Sequence, residues 1–85
     1  MNYIAKEIYQ DGVQEGLIKG KLENLQDNIM NFLLARFEVP LKSGKKLEET
    51  IKAINSIPIL QKLVIDAAKA QSFEDFLKVL DKLEL

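Results

Sequence analysis

Glu38-Val39-Pro40-Leu41-Lys42-Ser43-Gly44 decides how this chain folds. Pro40 disfavours helix at Val39 and has no backbone N–H to donate. Ser43 and Gly44 add turn chemistry. The chain therefore splits between Arg36 and Gly44, with one long helix before the break and three short helices after it. The fold class is all-α: a long N-terminal helix followed by a mini-bundle. Residues 1–37 read as an oligomerisation helix and residues 38–85 as a small bundle, which residues 30–37 complete as a single domain.

Upstream of the break, Tyr3 to Phe37 contains no Pro and is rich in Ile, Leu, Glu, Lys and Gln. Ile18, Leu22, Leu25, Ile29 and Phe32 alternate by four and three, an a/d seam of about two heptads. Asp11 and Glu15 fall on its upstream continuation and weaken it. A second stripe of Tyr9, Val13, Leu17 and Gly20 takes over there. Gly12, Gly16 and Gly20 recur every four residues. Each costs a soluble helix roughly 1 kcal/mol relative to Ala, so the register reads either as close approach to another helix or as a repeat-derived linker helix whose glycines do nothing specific. About 35 helical residues at ~1.5 Å each span roughly 50 Å. A compact chain of this length is only ~24 Å across. The helix outruns what the rest of the chain can cover.

Downstream, Leu47, Ile51 and Ile54 mark a helix over about Lys45 to Asn55. Asn55-Ser56-Ile57-Pro58 is a junction, with Pro58 suited to a first helical turn. Leu60, Leu63, Val64, Ala67 and Ala68 mark the next helix, about Pro58 to Ala70. Ser72 then caps Glu74 and Asp75 at the start of the last, about Phe73 to Leu83. The expected core is Leu47, Ile51, Ile54, Leu60, Leu63, Val64, Ala67, Phe76, Leu77 and Leu80, with Phe73 also buried. Leu33, Leu34 and Phe37 close it.

Composition narrows the function. The 85 residues are 47% apolar and 29% charged, the balance of an ordinary globular domain. Twelve basic residues stand against thirteen acidic ones, without the basic excess of a nucleic-acid binder. The chain has no Cys and no His. Disulfides, thiolate catalysis and Cys-based metal sites are excluded, as are the commonest metal ligand and the usual proton carrier near neutral pH. No acid is followed two residues later by Lys, so the acid-x-Lys element of a restriction-like nuclease is absent. Glu48-Glu49 and Glu74-Asp75 read as helix first-turn acids rather than a metal site. We expect no catalytic residue, no cofactor and no metal. Apolar runs never exceed four residues, which gives no membrane span, and the start of the chain does not read as a signal peptide. A cytoplasmic location is expected.

Two segments together resemble a known family. Glu15-Gly16-Leu17-Ile18-Lys19-Gly20-Lys21 is similar to the Glu-Gly and Lys-Gly repeats near the end of the Rpn family of recombination-promoting nucleases and transposases. Leu33-Leu34-Ala35-Arg36-Phe37-Glu38-Val39-Pro40, then Ile51, Ile54, Leu60 and Leu63, then Ala67, Ala70, Ser72, Phe73, Phe76 and Leu80, resemble the helical domain that ends many members. The likeness runs from about Gly12 to Leu80. It departs from the family pattern after Phe37, where one residue, the family's Gly, is missing before Pro40.

The resemblance implies a tail domain separated from the nuclease domain that precedes it, so no catalytic residue carries over. It implies a non-catalytic domain that oligomerises, pairs with the same region of a full-length nuclease and restrains it, in an antitoxin-like role linked to phage defence. A chain opening at Met1 within a continuing helix fits a separately made product of that kind, and fits a shortened piece of a longer chain equally well. The expected partners are a second copy, as a homodimer, and the parent nuclease, with no membrane and no nucleic acid. The expected interface is Gly12, Gly16, Gly20, Ile18, Leu22, Leu25, Ile29 and Phe32. The alternative is a DNA-binding accessory domain using Lys42, Lys45, Lys46 and Lys52.

Overall fold

The computed structural model describes the backbone of residues 3–83 and the side chains of residues 15–83. It is all-helical, with α1 at Tyr3–Arg36, α2 at Leu41–Lys52, α3 at Ile57–Lys69 and α4 at Phe73–Asp81. One long helix is followed by three short ones that pack into a small bundle. The molecule measures 57 × 22 × 19 Å and has a radius of gyration of 16.3 Å. A compact chain of this length would have a radius near 12 Å. The excess comes from α1, whose 34 residues extend over about 51 Å.

The helix starts follow from local chemistry. Ser56 is extended and its hydroxyl accepts the Ile59 N–H, with Pro58 in the first turn of α3, where its missing donor is no loss. Ser72 does the same for the Asp75 N–H at the start of α4, and Glu74 and Asp75 lie favourably in that first turn. α2 begins differently from the sequence expectation, four residues earlier, at Leu41 rather than Lys45. Pro40 itself stands at the N-cap, with φ of -57° and ψ of 144°, and no side chain caps the helix. Its carbonyl accepts the Gly44 N–H at 2.8 Å, so Ser43 and Gly44 are helical rather than a turn. Proline lacks only a donor; it accepts the first helical bond as well as any residue.

The core contains Ile29, Leu33, Leu47, Ile51, Ile54, Leu60, Leu63, Ala67, Phe73, Phe76 and Leu80. Val64, Leu77 and Phe37 pack on it half-buried, whereas Leu34 is 56% exposed. Leu33 and Leu34 are neighbours, about 100° apart around the helix, so only one can face inward. α1 packs mainly on α3. It joins the bundle from Leu22, well before residue 30, through Leu22, Leu25, Gln26, Ile29 and Leu33.

Two polar contacts tie α1 to the bundle. Gln26 is buried, and its Nε2 donates to the carbonyls of Ile54 at 3.1 Å and Lys52 at 3.5 Å. These carbonyls lie at the end of α2, where helical partners run out. Arg36 donates from Nη1 to the Ala67 carbonyl in the last turn of α3, and its guanidinium lies 4.8 Å from the centre of the Phe37 ring.

Candidate interaction surface

The residues expected to form one interface fall into separate places. Ile29 is fully buried within the chain's own bundle. Leu22 and Leu25 pack against that bundle, half-buried. Ile18 and Phe32 are 52% and 42% exposed. Gly16 and Gly20 are exposed, and a Cβ at either would meet nothing within 4 Å. Gly12, like Tyr3, Tyr9 and Val13, lies outside the residues whose side chains are described. Gly16 and Gly20 each sit about 160° around α1 from Ile18, so no single straight partner helix touches both faces.

The heptad seam and the true inward stripe share residues but differ in pitch. Leu22, Gln26, Ile29 and Leu33 follow the natural turn of a straight helix. The a/d reading of 3.5 residues per turn drifts off it by about 20° per heptad. This drift carries Phe32 outward and brings Gln26 inward.

Between Glu15 and Lys21 the bundle does not cover α1. Leu17 is 68% exposed there and Ile18 lies beside it. Glu15 precedes Ile18 by three residues and Lys21 follows it by three, so both share its side of the helix. An apolar pair with an acid above and a base below is a surface able to recognise a partner by shape and by charge.

The rest of the surface is of mixed sign. Lys42, Lys45 and Lys46 are exposed along α2. Lys52 is engaged: its Nζ lies 3.0 Å from Glu48 Oε1, with the acid one turn N-terminal, the better order on a helix. The hydrogen bond to Glu48 and its charge hold the lysine above its usual pKa, with Asp27 and Glu23 of α1 adding to the effect. Four basic residues thus do not act as one free patch. Among the described residues no three acidic side chains gather where an ion could be held. No helix among them is long and apolar enough to cross a membrane.

A groove also runs between α2 and α4, a cavity of about 350 Å³. Ser43, Lys46, Leu47 and Thr50 line one wall, and Leu77, Leu80 and Asp81 the other. Sequence reasoning missed it. The α2 residues recur at the spacing of a helix face, but three of the four are polar and resemble ordinary solvated surface. Compared with known proteins, the chain matches no family model, no curated protein and no solved structure.

Proposed function

We propose that this chain is a non-catalytic self-association and regulatory domain. It pairs with a second copy of itself and, through the same region, with a full-length nuclease of the Rpn type that its sequence resembles. The observation that carries this reading is the exposed pair Leu17 and Ile18 on a helix that outruns its own bundle. Fully covering a Leu or Ile side chain is worth about 1.5–3 kcal/mol, a gain that the isolated subunit leaves unused.

Restraint of the nuclease would be steric and stoichiometric. A small chain seated on the nuclease's own copy of this helix denies it a second nuclease, and no chemistry is required of the small chain. The role belongs to control of a defence nuclease, as the family resemblance implies.

Titrating the protein into a nuclease that carries the same helical region tests this. Cleavage should fall in proportion to added protein and stop falling near one equivalent. Undiminished cleavage at large excess would remove the inhibitory role.

A further inference from the structure

We propose that Asn55, at the junction of α2 and α3, is a site of spontaneous deamidation whose isoaspartate product weakens the tie between Gln26 and that junction. The proposal is independent of the self-association reading. An asparagine side-chain amide is attacked by the backbone nitrogen of the residue that follows it. Asn24, Asn28 and Asn31 lie within α1, and Asn2 lies outside the described residues. In a helix the following N–H is bonded to the carbonyl one turn back, and a ψ of about -42° turns it away from the amide. Leu25, Ile29 and Phe32 add bulk beside those three amides.

None of this protects Asn55. It is exposed, lies outside the helices and precedes the small residue Ser56. Ser56 is extended, with φ of -121° and ψ of 114°. Its hydroxyl accepts the Ile59 N–H and its carbonyl the Leu60 N–H. Its own N–H donates to no group among the described residues. The nitrogen that must attack is therefore free, on a residue otherwise held in place.

The reaction needs only water. The Ser56 nitrogen gives up its proton and bonds to Cγ of Asn55, and the bond from Cγ to the side-chain nitrogen breaks. That nitrogen leaves with the proton as ammonia, and a cyclic imide remains. Water then opens the imide at either carbonyl. Opening at Cγ gives aspartate, whose charge lies just before α3, a helix with no acid in its first turn. Opening at the main-chain carbonyl gives isoaspartate. The chain then runs through the side-chain carbon, one atom longer between Ile54 and Ser56. The Ile54 carbonyl is the acceptor of Gln26, and Ser56 caps α3. The longer link no longer fits both contacts at once.

The folded protein is aged in mildly alkaline buffer beside Asn55→Gln, whose longer side chain would need a larger, slower ring. Peptide mass mapping follows each asparagine, and circular dichroism verifies the fold. The Asn55 peptide should gain the mass that separates a carboxylic acid from an amide, faster as pH rises. It should appear as two products of equal mass, and Asn55→Gln should lose the shift. The separated isoaspartate form should unfold at lower urea than the parent, and Asn55→Asp should not. An unchanged Asn55 in the folded chain, or aspartate as the sole product, would overturn the site or its chemistry. An isoaspartate form as stable as the parent would overturn the effect on Gln26.

Discussion

Gln26 on α1 donates its side-chain amide to the carbonyl of Ile54 at 3.1 Å, joining the long helix to the α2–α3 junction across 28 residues of chain. The amide is buried, and the same nitrogen reaches Lys52 O. A buried carbonyl without a partner costs about 1–3 kcal/mol. Gln26→Met keeps most of the volume and removes the donor. Urea denaturation should show a loss of that size, with the slope against denaturant unchanged.

The exposed and enclosed leucines should respond very differently to truncation. Leu60 is 0% exposed and Leu41 80% exposed. Leu60→Ala should lose about 2–5 kcal/mol of stability, from lost transfer energy and the cavity left behind. Leu41→Ala should stay within about 0.5 kcal/mol of the parent. Paired thermal or urea melts check both.

Gly44 offers a test of where α2 begins. It is helical, and an added Cβ would meet Val39 Cγ1 at 3.5 Å, an ordinary contact. Gly44→Ala should therefore stabilise the protein by about 0.5–1 kcal/mol through the backbone freedom removed from the unfolded chain. A turn at Gly44 would instead make alanine neutral or harmful.

Much of this architecture is legible in the residues. Pro40 marks the break, and Pro58 and Ser72 mark two helix starts by chemistry that acts within a single turn. The inward faces of α2, α3 and α4 show as the three- and four-residue spacings of Leu47 and Ile51, of Leu60, Leu63 and Ala67, and of Phe73, Phe76 and Leu80. The start of α2 is hidden because Pro, Ser and Gly are turn formers by habit, and only the backbone shows that Pro40 accepts the first helical bond. The split of the α1 residues is hidden because Leu22, Leu25 and Ile29 satisfy two periods at once. Gln26 reads as a solvent residue until the end of α2 is placed beside it. The groove is assembled from helices some thirty residues apart, so no local pattern announces it.

Lys42, Lys45 and Lys46 give the DNA-binding alternative a direct test. Phosphate contacts are strongest at low salt. With Lys52 engaged by Glu48 and a net charge of -1, the chain alone should leave a duplex unshifted in a gel at low ionic strength. A salt-sensitive shift would reinstate that role.

Self-association through the uncovered part of α1 is the central claim, and sedimentation equilibrium of the parent and of Ile18→Asp measures it most directly. Ile18 is 52% exposed and outside the bundle core, so the substitution leaves the subunit folded, as circular dichroism would verify. The parent should approach twice the 9.7 kDa subunit mass as concentration rises, while Ile18→Asp stays near 9.7 kDa. Two monomers, identical across the whole concentration range, would contradict the account.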